Sequence, residues 1–161
     1  MSTKQHKTNA MRKLETEGIE YEPMSYEVNE SDLSGVHAAQ VMGMDPDMVF
    51  KTLVCKAASG GHVVCCIPVA EELDLKKAAR AAGEKSLEML PLRDLLPTTG
   101  YVRGGCSPLG MKKQFPTLID ETAILFDRIG VSAGERGLQM LLAPDDLASI
   151  LDAPMVDLCK S

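Results

Sequence analysis

The sequence predicts an α+β domain with a largely antiparallel or mixed sheet, and three observations carry that prediction. Two β-rich runs, residues 49–56 and 62–69, flank a short loop holding Gly60 and Gly61, the pattern of a hairpin. Segments with helical spacing of apolar residues and a glycine stop recur at 10–17, 34–42 and 73–82. Strands and helices mix without the strict alternation that a parallel βαβ sheet requires.

In chain order, residues 1–8 read as a flexible N-terminal tail and 9–161 as a single domain. Asn9 is the expected cap of a short helix over 10–17, closed by Gly18. Residues 19–28 alternate enough for a strand, and Pro23 places it at a sheet edge. A second helix follows over 34–42, capped by Ser34 and ended by Gly43. After the hairpin comes a helix over 73–82, with Lys76, Lys77 and Arg80 facing out and Gly83 at its end. A short strand is expected over 86–90 and a helical turn over 92–96, stopped by Pro97. Later strands are expected over 117–119, 124–131, 138–142 and 155–158. Pro144, Asp145 and Asp146 open a helix over 147–151, with the acids where the helix dipole favours them.

Composition narrows the function classes. At 161 residues the chain suits one domain with one sizeable core. Aromatics make up 4 % and Trp is absent, which argues against an aromatic stacking platform for single-stranded nucleic acid. The formal charge of −6 excludes wholesale electrostatic coating of nucleic acid but leaves room for a local basic patch. Residues 1–13 are polar and lack the apolar stretch of a secretory signal, and no run approaches the roughly 18 apolar residues of a membrane span. Five cysteines without a CxxC pair point to a reducing compartment, so the expected location is cytoplasmic.

The chemistry concentrates in two places. From Gly100 to Gly110 the chain holds four glycines and Pro108, and from Gly100 to Ile119 it carries Arg103, Lys112 and Lys113 but no carboxylate. Such a loop is either a tight surface connection or a wall receiving an anionic or carbonyl-bearing ligand. It is neither a P-loop nor a dinucleotide fingerprint, because no Gly-Lys-Ser/Thr ends it and the glycine spacing is wrong. Lys51 is the second place. On a strand it shares a face with Val49, Leu53 and Cys55, so an ammonium stands among apolar neighbours. It must reach water at the sheet edge or a cavity holding an acid or an anion.

Other candidates are weaker. Cys106 in the glycine loop is the accessible thiol, yet His6, His37 and His62 offer it no obvious partner, and the adjacent Cys65 and Cys66 point to opposite strand faces. No G-x-S-x-G elbow is present. Asp120 and Glu121 read as a solvated turn. Ser132, Gly134 and Gly137 form a second small-residue loop that would line the same pocket only if the fold brings it to Gly104 and Gly105.

Four stretches together carry a resemblance: Phe50-Lys51-Thr52-Leu53, Leu73-Asp74-Leu75-Lys76-Lys77-Ala78-Ala79, Thr99 through Gly110, and Ser132-x-Gly134-x-Arg136-Gly137-Leu138. In order and spacing, from Lys7 to the C-terminus, the chain resembles the YbaK/EbsC family of Cys-tRNA(Pro) deacylases, relatives of the editing domain of bacterial prolyl-tRNA synthetase. The resemblance implies a mixed α/β domain around a curved, barrel-like sheet with flanking helices. It implies a trans-editing deacylase that hydrolyses Cys-tRNA(Pro), the substrate's own thiol attacking its ester, with no cofactor or metal. Lys51 matches the family's functional lysine, toward the 3′-terminal adenosine or its phosphate. Tyr26, Thr52, Gly104, Gly105, Ser107, Pro108 and Ser132 match its substrate pocket, and Cys106 is implied to be a bystander. A transient complex with prolyl-tRNA synthetase is implied as the source of tRNA selectivity. The chain departs from the pattern at Gln139, where some relatives carry an acid, so affinity or specificity is expected to differ there. Deacylation of Ala-tRNA(Pro) or of a broader set, a non-catalytic nucleotide- or aminoacyl-binding module, and a cysteine-based enzyme stand as alternatives.

Overall fold

The computed structural model describes residues 6–161. Helix α1 (Asn9–Thr16) is capped by Thr8, whose hydroxyl oxygen accepts from the Met11 amide at 3.2 Å. The cap is therefore one residue earlier than the Asn9 expected from sequence, and the buried Thr8 ties residues 6–8 to the domain. Residues 1–5 of the expected tail lie outside the described residues. Strand β1 (Glu22–Ser25) is shorter than expected and carries Pro23. Helix α2 (Gly35–Met42) begins at Ser34, whose hydroxyl accepts from the His37 amide, and ends at Gly43 with φ of 68°.

Strands β2 (Phe50–Ala57) and β3 (His62–Pro68) form the expected hairpin, in unbroken register from Phe50↔Pro68 to Lys56↔His62. Helix α3 (Leu75–Ala82) is capped by Asp74, which accepts from the amides of Lys76 and Lys77. Strand β4 (Leu87–Met89) adds antiparallel to β2. Helix α4 (Leu92–Thr99) runs through Pro97 rather than stopping before it. In so short a helix the proline forfeits a single bond, the one to the Arg93 carbonyl, and the Thr99 hydroxyl donates back to the Leu95 carbonyl at 2.8 Å. After the glycine loop, strand β5 (Thr117–Asp120) runs parallel to β3.

The expected strand over 124–131 is corrected. Glu121–Leu125 is a 3₁₀ segment started by Asp120, whose carboxylate accepts from the backbone and hydroxyl of Thr122. That local bonding competes with strand pairing and leaves Ile124 and Leu125 at 70 % and 75 % exposure. Asp120 itself is not the solvated residue its acidic neighbour suggested: it is buried and also accepts from the Leu158 amide at 3.0 Å. Strands β6 (Ile129–Glu135) and β7 (Leu138–Leu142) form a second hairpin with a register shift between Ser132 and Glu135. Helix α5 (Pro144–Leu151) and strand β8 (Met155–Val156) complete the chain.

The class is α+β as expected, but the strands make two sheets that do not close into a barrel. One has order β1-β7-β6 and is antiparallel; the other has order β4-β2-β3-β5-β8 and is mixed. Among the described residues, one parallel bridge, Val49↔Gly130, ties them at a corner. Closure fails at the free edges: β4 has three residues before Pro91, and Pro23 in β1 has no N–H to offer a further strand. The largest core packs α1 and α5 against β6 and β7, with Phe50, Ile119 and Met140 inside it. A second core packs α3 on the outer face of the five-stranded sheet around Cys55, Cys65 and Leu118.

Candidate functional site

The sheets meet at the Val49–Gly130 bridge and through the largest core, and beside that junction a cavity of about 570 Å³ opens between them. Residues Phe50 to Val54 of β2 form one wall, Ser132 and Gln139 of the second hairpin the opposite one. Ser34, Gly35 and Ala38 at the start of α2 close one side. The fit there is tight, since a Cβ on Gly35 would lie 2.3 Å from Val69 Cγ1. Met89, Leu92 and Leu95 form an apolar rim, and Arg103, Gly104 and Cys106 bring in the glycine loop. Among the described residues, Lys51 and Arg103 are the charged ones bordering the cavity, and no carboxylate borders it. Neither cation has a carboxylate within ion-pair distance among the described residues. A protein of net charge −6 thus presents a cationic cavity.

Lys51 is half-buried, as its place among apolar residues required. Burial lowers its ammonium below the ordinary lysine range, and the carboxylates of Glu72 and Glu71 oppose that shift only in part. Its neighbour Thr52 faces Cys66 across the hairpin. Thr52 Oγ1 and Gln139 Oε1 are both buried without a hydrogen-bond partner, one on each wall. Ser132 Oγ accepts from the Gly134 amide at 3.1 Å, which leaves its own proton free to donate. Tyr26 reaches the cavity from just beyond β1, where its amide donates to the Gly137 carbonyl at 3.0 Å.

The fold therefore brings together Tyr26, Lys51, Thr52, Gly104 and Ser132, five of the residues anticipated from sequence. Gly105, Ser107 and Pro108 are buried and do not border the cavity. Ser107 turns inward and accepts from the Leu109 amide at 3.2 Å. Gly105 is needed for close packing: a Cβ there would lie 3.0 Å from the backbone nitrogen of Arg136. Arg136 clamps the same loop, donating from Nε to the Arg103 carbonyl at 2.8 Å and pairing with Glu30 at 3.1 Å. The small-residue loop after β6 and the glycine loop do meet, through this contact.

Cys106 borders the cavity, yet burial pushes its thiol up to about 12, so it stands protonated at neutral pH. Arg103 and the α2 start were not singled out as site residues from sequence. Arg103 was marked only by its sign within a carboxylate-free stretch, and Ser34 only as a helix cap. No cluster of three or more metal-ligating side chains occurs among the described residues. No helix among them is long and apolar enough to cross a membrane.

Comparison with known proteins adds a consistent picture. The family profile of the aminoacyl-tRNA editing domain matches residues 33–150, which contain Lys51, both glycine-rich loops and Gln139. EbsC of Enterococcus faecalis, a protein named for Cys-tRNA(Pro)/Cys-tRNA(Cys) deacylation, is 47 % identical over 154 residues, 96 % of this chain and 94 % of that one. Two crystal structures share the fold. One, of a hypothetical protein, has a TM-score of 0.86 at 17 % identity, covering 95 % of this chain and 100 % of the other. The second, described as a trans-editing enzyme for prolyl tRNA synthetase, has a TM-score of 0.79 at 24 % identity, covering 93 % and 94 %.

Proposed function

Because the chain belongs to the aminoacyl-tRNA editing domain family, we propose that it acts in trans as a deacylase of mischarged Cys-tRNA(Pro) in the cavity between its two sheets. The observation that carries this reading is the cavity lining: Lys51 and Arg103 without a carboxylate, beside a thiol that is not ionised. Such a site suits an anionic RNA end and a carbonyl that gains negative charge, and offers no activated nucleophile of its own. A cysteinyl ester brings the nucleophile with it. Its sulfur attacks the ester carbonyl, a C–S bond forms, the C–O bond to the ribose breaks, and the thiol proton passes to the ribose oxygen. Water then opens the resulting thiolactone to free cysteine.

In this reading Lys51 faces the terminal phosphate or the developing oxyanion. Tyr26, Thr52, Gly104 and Ser132 hold the aminoacyl end, so that the reacting atoms are already close. Gly105, Ser107 and Pro108 contribute by shaping the loop that carries Gly104. Gln139 presents a neutral amide to the same space and bears on which aminoacyl group is accepted. A prolyl-tRNA synthetase partner in the cytoplasm selects the tRNA, in keeping with a protein too acidic to grip RNA broadly.

The test is deacylation of labelled Cys-tRNA(Pro) beside Ala-tRNA(Pro), by the wild-type protein and Lys51→Ala. Loss of cysteine that slows sharply in Lys51→Ala supports the reading. Preference for alanine moves the specificity while keeping the site, and hydrolysis of neither overturns the activity.

A further inference from the structure

Helix α4 separates two concavities. Leu92 and Leu95 border the cavity, whereas Pro97 and Thr98 border a groove of about 580 Å³ on the other side. Both abut the β2–β3 hairpin, the cavity at the start of β2 and the groove at the turn, where Gly60, Gly61 and His62 border it beside Ala82 and Glu84 at the end of α3. Thr52, Val54 and Lys56 alternate onto one side of β2; Thr52 and Val54 border the cavity, and Lys56 pairs with His62, which borders the groove. Lys56 lies four steps along the strand from Thr52, roughly 13 Å. That is a span of a few nucleotides, not of one small anion.

The groove is lined by Lys112 and Lys113, and neither has a carboxylate within ion-pair distance among the described residues. Glu84 also borders the groove and accepts from the Ser59 hydroxyl at 2.9 Å; the two lysines outnumber this one carboxylate. Lys112 is held in place. Its amide donates to the Thr99 carbonyl at 3.0 Å, and its stem lies where a Cβ on Gly100 would come within 3.2 Å. With φ of 86° at Gly100, the turn out of α4 sets the lysine over the groove. Lys112 Nζ donates to the Pro97 carbonyl at 3.5 Å. With Lys51 and Arg103 on the cavity side, α4 thus has on each side cations without a carboxylate partner among the described residues, in a chain that otherwise repels polyanions.

We propose that the groove is a second binding site, for the phosphate backbone of the substrate RNA. The aminoacylated 3′ end enters the cavity, and the nucleotides before it cross α4 to reach Lys112 and Lys113. The assignment rests on the deacylase reading above and extends it from the reacting end to the polymer behind it.

The test compares Cys-tRNA(Pro) with cysteinyl-adenosine, which carries the ester without the polymer, using the wild type and the double variant Lys112→Glu/Lys113→Glu. For the tRNA, KM rises by about tenfold or more, and the log–log salt dependence of kcat/KM becomes shallower by about 1.5. For cysteinyl-adenosine, turnover stays within about twofold, since no phosphate backbone reaches the groove. Lys112→Gln/Lys113→Gln, which removes charge without reversing it, gives the same change in salt slope. An unchanged KM and slope for the tRNA, or an equal loss on both substrates, overturns the groove assignment while leaving the deacylase reading intact. If the wild type hydrolyses neither substrate, the deacylase reading falls and the groove assignment with it.

Discussion

The backbone nitrogen of Arg136 lies 3.0 Å from where a Cβ on Gly105 would stand, so the turn of the second hairpin seats directly on the glycine loop. The Arg136 side chain completes the joint by donating to the Arg103 carbonyl. Two stretches some thirty residues apart thereby share one rigid wall of the cavity.

Replacing Gly105 by Ala presses a methyl group against backbone, which cannot swing aside as a side chain would. The expected cost is about 1–3 kcal/mol of stability, read as a lower denaturant midpoint at unchanged slope. The shifted wall also raises KM for the aminoacylated substrate. Gly61→Ala is the control: nothing lies within 4 Å of its Cβ position, and its stability stays within about 0.5 kcal/mol of wild type. Equal midpoints for the two variants would remove the packing argument.

The contrast between these glycines shows what was legible in the sequence. The β2–β3 hairpin was plain, because alternation and a Gly-containing turn are local signals, and Lys51 stood out as a charge among Val49, Leu53 and Cys55. What stayed hidden was every partnership between distant segments. Arg136 looks like an ordinary turn residue until Arg103 is beside it, and Ser107 looks like a pocket residue until its hydroxyl is seen bonded to Leu109. Asp120 misled for the same reason: an Asp-Glu pair normally marks solvent, but the donors that bury this one come from Thr122 and Leu158. Ile124 and Leu125 misled in the other direction, apolar in type and exposed in fact, because the capped 3₁₀ turn points them outward.

Cys106 tests whether the protein supplies a nucleophile. Its thiol, raised to about 12 by burial, carries almost no thiolate at pH 7.5 or so. Cys106→Ser therefore retains deacylation within about threefold, far from the loss of several powers of ten that follows removal of a catalytic nucleophile. Alkylation by iodoacetamide at neutral pH is correspondingly slow at this position, measured by mass spectrometry of the labelled protein. Rapid labelling together with abolished turnover in Cys106→Ser would return the cysteine-based reading to first place.

Lys51 links the site to stability. Its pKa in the folded state lies below the unfolded value near 10.5, because burial disfavours the ammonium. Between those two values the unfolded chain binds more protons than the native one, so this group makes stability rise as pH rises. Below the folded value both states are protonated, and the native state bears the whole cost of the half-buried charge. Lys51→Met removes that cost, so the variant is more stable than wild type at pH 7. The advantage shrinks as pH rises through the folded pKa of Lys51 toward 10.5. Urea unfolding of both proteins at several pH values reads the difference directly, and the same variant loses deacylation. A stability difference that is constant with pH, or a variant less stable at pH 7, would mean that the ammonium is not held at a cost and that its place in the cavity needs another explanation.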